Sequence, residues 1–436
     1  MKDELLHPDE ALRLVLEAGR EAFGAEGGRA TELVPLAEAL GRYLPRAVVA
    51  TMDQPPFDKS AMDGFAVGLQ PDDPRVEEAG REWRVAGTIA AGRAASLTSG
   101  SGAIKAEGSA AGAGGDTGPT DQVFRVMTGA PLPPGTGFVQ RVEYTDMVDP
   151  SGATVVFTRP ESSDNIIRRG ENLRAGQTLI GPRRLGPADI GNLASSGIAR
   201  VEAARRPIVG ILSTGDELEA AGNPLGQASI YDSNGPQLSA QVESIGARAL
   251  FYGIVRDEEE ALRLALSRAL GECDVVLLSG GVSMGDFDYV PRALEGLGVH
   301  RIFHKIAMRP GKPTWFGKRD DKAVFGLPGN PVSTFVNFEV FIAPHLAARM
   351  GIEWRPSVVS VPLGTPLARR ATDRAEYLPV RLARETEGGP TLVLPLDYHG
   401  SSMLSVLAEA EGLVRLEIGV ARREKGEMID VRLLRP

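Results

Sequence analysis

Between residues 207 and 350 the chain alternates two hydrophobic patterns. Short apolar runs rich in β-branched residues, RPIVGILSTG, ALFYGIV, DVVLLSGG and KAVFGL, read as strands buried on both faces. The stretches between them carry apolar residues at helical spacing. One, DEEEALRLALSRALGE, has a leucine-rich face with Asp257 as the expected N-cap and Glu260 three residues on. Another opens at Asn234 and Pro236, a third runs near 288 to 296, and a fourth follows Asn330, with Pro331 suited to the first helical position. Strand alternating with helix predicts a parallel sheet covered by helices on both faces.

The flanks follow different rules. The N-terminal stretch MKDELLHPDEALRLVLEAGREAF has helical spacing. REWRVAG, QVFRVMTG and ATVVFTR before residue 170, and SVVSVPLG, YLPVRLA, TLVLPL and EMIDVRLL after 350, alternate or are β-branched and end at turn residues, as small antiparallel sheets do. Residues 92–120 are mostly Gly, Ala, Ser and Thr, too poor in large apolar side chains to offset ordering, and a mobile loop is expected there. The expected fold class is α/β plus β, multidomain. A length of 436 residues agrees, since it exceeds what one core usually organises.

Composition narrows the function. No run approaches 18 apolar residues, and the acidic N-terminus is unlike a secretory signal, so a cytoplasmic protein with no membrane association is expected. A net charge of −9 works against nucleic acid, whose binding needs an extended positive surface. The single Cys273 excludes an internal disulfide and a cysteine metal cage, and it reads as core. None of the five histidines, His304 included, is assigned a role.

Against that acidic background, HKIAMRPGKP sets Lys305, Arg309 and Lys312 within eight positions of a chain that has only eight lysines. The concentration implies a small anion held locally. Open α/β sheets bind ligands at the carboxyl ends of their strands. There this chain has STGDEL, IYDSN, SGGVSMGDFDYV and PGNPVS, carrying Asp216, Glu217, Asp232, Asp286 and Asp288, hard oxygen donors suited to Mg²⁺. The backbone N–H groups at the helix starts suit phosphate. Metal-binding carboxylates beside cations make a site for a phosphorylated or adenylylated ligand. Ser279, Gly280, Gly281, Asp232, Pro328, Gly329 and Asn330 are its candidate substrate contacts. Met62 and Met284 read as packing residues.

The segments PPFDKSAMDGFAV, MTGAPLPPG, IIRRGENLRAG, STGDEL, IYDSN, LLSGGVSMGDFDYV, IAMRPGKPTWFG and FGLPGNPVSTF, in that order, resemble the MoeA family of molybdopterin molybdenumtransferases, which includes the gephyrin E-domain. The resemblance implies insertion of molybdenum from molybdate into adenylylated molybdopterin, with Mg²⁺ and release of AMP. It implies a homodimer with composite active sites. Possible partners are a molybdopterin adenylyltransferase and cofactor-accepting molybdoenzymes. The implied division is a helix at 1–26 packing on the α/β domain, a linking domain of 27–50 with 171–205, an inserted β-rich domain at 51–170, the three-layer molybdopterin-binding domain at 206–350 and a C-terminal β-barrel-like domain at 351–436.

By the same resemblance Lys305 and Arg309 are the oxyanion pair with Lys312 beside them, and Asp63, Glu217 and Asp288 are catalytic acids that also serve the metal. Thr128 offers a hydroxyl, and Arg374 and Ser401 face ligand. Asn172 stands at a metal position where the family usually has aspartate, Arg309 where many relatives have lysine, and TGFVQ replaces the usual continuation of the GAPLP motif. Two other readings stay open. The first is a molybdopterin adenylyltransferase, although SGGVSMGD replaces its usual GGTG. The second is a catalytically weak scaffold, which Asn172 would suit.

Overall fold

The computed structural model describes residues 5–26, 30–92, 121–281, 289–384 and 389–434. From residue 93 on, the expected loop lies outside the described residues, as do Met284, Asp286 and Asp288. Contacts divide the chain into two units. One holds the chain up to Pro45, Pro182–Gly186 and everything from Arg200, and the other holds Arg46–Gly181 and Pro187–Ala199.

In the first unit Arg248–Val255, Ile208–Thr214, Val275–Ser279 and Lys322–Leu327 lie parallel in that order, as the alternation predicts. The sheet departs from the expectation at one edge. Trp315–Arg319 runs antiparallel to Lys322–Leu327, and His300–His304 antiparallel to Trp315–Arg319. The cause is the short connection: only Asp320 and Asp321 join Trp315–Arg319 to Lys322–Leu327, with Asp320 at φ 56°, and so tight a link makes a hairpin.

Successive strand residues face opposite layers. Val209, Ile211, Val275, Leu277 and Phe325 pack with Leu238, Val332 and Val336 of two helices and with Ala11, Val15 and Ala18 of the helix Pro8–Glu26. Leu212, Val276, Leu278 and Val324 face Leu262, Leu266, Val290 and Leu294 on the other side. Each of these large side chains stabilises the fold by about 1.5–3 kcal/mol when fully buried, which is why the strands read as unbroken apolar runs. Cys273 is 1% exposed and belongs to this core.

The N-cap falls one residue later than expected: the helix begins at Glu259 after Glu258, whose backbone is extended and which makes no side-chain cap. The Asp257 N–H donates to Asp216 Oδ1 at 3.4 Å.

The basic stretch bridges two sheets. After His300–His304 the chain leaves the α/β sheet, and Met308–Arg309 pairs in parallel with Ala375–Glu376 at the edge of the C-terminal sheet. That sheet continues through Gly412–Leu416, Met428–Leu433 and Val358–Pro362, with Thr391–Pro395 also on Ala375–Arg384. The N-terminal segment braces the same stretch: the Leu6 N–H donates to the Lys305 carbonyl at 3.2 Å, and the Ala307 N–H to the Leu6 carbonyl at 2.8 Å. Thr31–Pro35 and Arg200–Ala204 form an antiparallel link within this unit.

The second unit is a six-stranded sheet around Phe65, Trp83, Val123, Phe138 and Val155. The antiparallel expectation fails at one pair, since Glu82–Ile89 and Gln122–Val126 run parallel. A parallel pair needs a long connection, and the long segment between these strands supplies it. Among the described residues no helix is long and apolar enough to cross a membrane.

Candidate functional site

In the first unit a cavity of about 720 Å³ brings together Arg309, Lys312, Pro328, Asn330, Arg374 and Ser401, six of the residues singled out from sequence. Local chemistry explains how each arrives. Gly311 has φ 107°, and a Cβ there would meet Asn337 Nδ2 at 2.4 Å, so the turn presenting Arg309 and Lys312 needs glycine. Thr314 fixes that turn through its hydroxyl, which lies 2.7 Å from the Gly311 carbonyl and 2.8 Å from Asn337 Oδ1 and has one proton to donate between them. Asn330 precedes the helix Pro331–Asn337 without capping it, and its Nδ2 donates to Ser401 Oγ at 2.8 Å. The Val332 N–H donates to the Ser401 carbonyl at 3.0 Å, so the helix start and the loop ending at Ser401 form one wall.

Arg309, Lys312, Arg369 and Arg374 line the cavity together with the carboxylates of Glu376 and Asp397. Asp373 lies between two guanidinium groups, with Oδ1 3.9 Å from Arg309 Nη2 and Oδ2 3.4 Å from Arg374 Nε. Tyr398 also lines the cavity, and burial, then the nearby Glu376 carboxylate, push the Tyr398 phenol up to about 12, so it stays protonated at neutral pH. Lys305 is not among the lining residues. It is half-buried, with its backbone at φ 73° and its N–H donating to the Thr314 carbonyl at 3.0 Å.

A second group sits at the strand ends. Asp232, 6% exposed, accepts from Ser213 Oγ at 2.8 Å and from the N–H groups of Asn234 and Gly235 at 3.0 and 3.1 Å, which anchors the helix start. It also lines a cavity of about 680 Å³ with Gly215, Asp216 and Arg256. Asn234 Nδ2 donates to Ser279 Oγ and to the Gly329 carbonyl, both at 2.7 Å, joining three of the four strand-end loops. Gly280 has φ 96°, and a Cβ there would lie 2.3 Å from the Thr214 carbonyl, so the turn into Gly281 tolerates no side chain. Glu217 is exposed and folds its carboxylate over Gly215. Thr214 Oγ1 and Asn234 Oδ1 are buried without a partner. Sequence reasoning assigned neither a site role, because Asn234 reads as a helix start and Thr214 as a neighbour of the acids in STGDEL.

The second unit carries the remaining candidates. Asp63 Oδ1 accepts from the Thr128 N–H at 2.6 Å and the Thr128 hydroxyl at 2.8 Å. Those bonds, backbone first, hold the Asp63 carboxyl below its usual range and keep it ionised at neutral pH. The arginines beside Asn172 are committed locally, Arg168 to Asp164 at 2.7 Å and Arg169 to Asp53 at 2.6 Å. Asn172 itself is exposed, and its N–H donates to the Gln54 carbonyl at 3.0 Å. Among the described residues no three His, Cys, Asp or Glu side chains gather to hold a metal ion.

The fold defines a multidomain protein whose α/β domain gathers polar loops at the ends of its strands. Residues 210–348 match the family model described as a probable molybdopterin binding domain. Residues 6–197 match the MoeA N-terminal region (domain I and II), and 361–434 the MoeA C-terminal region (domain IV). The chain is 32% identical to the molybdopterin molybdenumtransferase of Bacillus subtilis over 98% of its own length and 94% of that protein's. It is 31% identical to the enzyme of the same name from Haemophilus influenzae, over 92% and 93%. The molybdopterin biosynthesis MoeA protein of Pyrococcus horikoshii has a similar structure, with a TM-score of 0.75 at 26% identity covering 99% of this chain and 100% of that one.

The chain therefore belongs to the molybdopterin molybdenumtransferase family. It is a transferase of molybdenum cofactor biosynthesis. The N- and C-terminal matches disfavour a stand-alone molybdopterin adenylyltransferase.

Proposed function

We propose that this protein inserts molybdenum from molybdate into adenylylated molybdopterin and releases AMP. The observation that carries the reading is the cavity where Arg309, Lys312 and Arg374 converge in a chain of net charge −9. Guanidinium groups offer planar forks and the ammonium a point charge, and together they hold a small tetrahedral oxyanion. Asn330 and Ser401 add neutral hydrogen-bonding groups that orient it. Lys305 extends the positive potential from the same stretch. The strand-end loops, with Ser279, Gly280, Gly281, Pro328 and Gly329, take the pterin nucleotide, whose phosphates suit the N–H groups at the helix starts.

Cleavage of the phosphate anhydride needs charge neutralisation and alignment more than covalent catalysis. The donor chemistry of Glu217, Asp288, Asp63 and Asn172 fits Mg²⁺, which commonly takes one or two carboxylates and completes its shell with phosphate oxygens and water. When bound, the ion would neutralise phosphate charge and polarise the anhydride. We further propose a cytoplasmic homodimer in which the inserted region of one subunit, with Asp63, Thr128 and Asn172, serves the α/β and C-terminal domains of the other. An adenylyltransferase would supply its substrate, and molybdoenzymes would receive its product.

The test is AMP release from adenylylated molybdopterin with Mg²⁺, with and without molybdate. Release that depends on molybdate supports the reading. Equal release in its absence refutes it, and no release supports the scaffold reading.

A further inference from the structure

Arg369 was not among the residues singled out from sequence. It follows the short strand Leu367–Ala368, and its side chain is only 7% exposed. One guanidinium reaches four acceptors: Nε donates to the Val420 carbonyl at 2.7 Å, Nη1 to the Arg374 carbonyl at 2.7 Å and to Glu376 Oε2 at 3.5 Å, and Nη2 to the Glu417 carbonyl. The loop it spans is closed by backbone bonds as well, from the Arg369 N–H to the Ala421 carbonyl at 2.9 Å and from the Gly419 N–H to the Thr372 carbonyl at 2.8 Å.

This clamp lies directly behind the cations of the cavity. Arg374 precedes the strand Ala375–Arg384, whose first two residues pair with Met308 and Arg309. Asp373, the residue before Arg374, stands between the guanidinium groups of Arg309 and Arg374. Fixing the Arg374 carbonyl therefore fixes where Asp373 and Arg374 sit relative to Arg309. Arg369 lines the same cavity, but most of its donors are already committed to protein acceptors.

We infer that Arg369 is a positioning residue for the molybdenum transfer, holding the Asp373–Arg374 loop so that Arg309 and Arg374 present a matched pair of cations to the oxyanion. The inference rests on the proposed function. Lysine keeps the charge but has no planar fork to span three carbonyls. Displacing a binding group by about 1 Å can cost up to about 100-fold.

The experiment is molybdate-dependent AMP release for Arg369→Lys, Arg374→Ala and the double variant, with thermal unfolding of each. Arg369→Lys should raise the molybdate concentration for half-maximal rate about 10-fold, with the rate at saturating molybdate within about 2-fold of the parent, the pattern of lost oxyanion binding. In the Arg374→Ala background the same exchange should add little, because the group it positions is gone. Unchanged half-saturation in Arg369→Lys, or effects that simply multiply in the double variant, would overturn the inference. If Arg369→Lys unfolds early, Arg369→Gln, which keeps one donor group, should show the same selective shift, and a loss of maximal rate alone would count against it. A parent that releases AMP without molybdate would instead indict the functional reading.

Discussion

His345 lies fully buried in the helix Ala343–Arg349. Its Nδ1 is 2.8 Å from the Val15 carbonyl on the helix Pro8–Glu26, so Nδ1 carries the proton and donates. Nε2 is buried without a partner, and the ring sits edge-on to Phe316 and Phe325 at 6.2 and 5.4 Å. Protonating Nε2 would bury a charge with no acceptor. Burial therefore lowers the His345 pKa from 6.5 to about 4, and the nearby Arg349 and Lys318 charges push the same way. Between those values the unfolded chain holds a proton that the folded chain refuses. The stability this site contributes is complete above pH 6.5, falls as the pH drops, and is lost once the pH passes below about 4. A shift of this size is worth about 3 kcal/mol in full, and about 2 kcal/mol of it is lost between pH 7 and 5. The assay is guanidinium unfolding at both pH values, followed by tryptophan fluorescence, in which Trp315, buried on the opposite face of the same sheet, reports the loss of that sheet. His345→Gln keeps a donor for the Val15 carbonyl but cannot titrate, so its loss of stability over the same interval should be smaller by about 2 kcal/mol. Equal losses in parent and variant would refute the reasoning. The consequence reaches the site, because the segment leading into Pro8–Glu26 carries Leu6, which braces Lys305 and Ala307.

Gly280→Ala should destabilise by about 2 kcal/mol or more, because its Cβ meets the Thr214 carbonyl at a positive φ, whereas Gly329→Ala, with open space around its Cβ, should shift thermal unfolding by under about 0.5 kcal/mol. Similar effects would contradict the close packing assigned to the Gly-rich turn. If the lost charge at Asn172 limits metal binding, Asn172→Asp should lower the Mg²⁺ concentration for half-maximal AMP release, and an unchanged requirement would remove Asn172 from the metal site. Asp63→Ala and Arg309→Ala should each be inactive as homodimers but recover up to about half the parental rate in a purified mixed dimer, since one site then receives both lesions and the other neither. A mixed dimer with no activity would argue against sites shared between subunits.

Much of this was legible in the chain itself. The parallel strands follow from apolar runs that must be buried on both faces, and the helix after Asn330 from proline at its first position. The basic stretch is visible because lysine is scarce. What stayed hidden depends on distant partners. Asp257 has the spacing of a capping residue, yet the helix opens after Glu258, and the Asp257 N–H meets Asp216 Oδ1, forty-one positions earlier. Asn330 looks like a cap and is instead tied to Ser401, seventy-one positions on. The Arg369 clamp could not be read from composition, because three of its acceptors are main-chain carbonyls, which any residue supplies. Strand direction in Trp315–Arg319 was decided by the tight turn at Asp320 and not by its apolar pattern.

If one site joins molybdate to an adenylylated pterin, AMP release and molybdenum insertion are a single event. The most direct measurement is a single turnover of the purified protein with adenylylated molybdopterin, Mg²⁺ and molybdate, counting AMP released and molybdenum bound to the pterin product. One molybdenum is expected for each AMP, and for Arg309→Ala neither should appear. AMP appearing with a pterin that carries no molybdenum would contradict the single event.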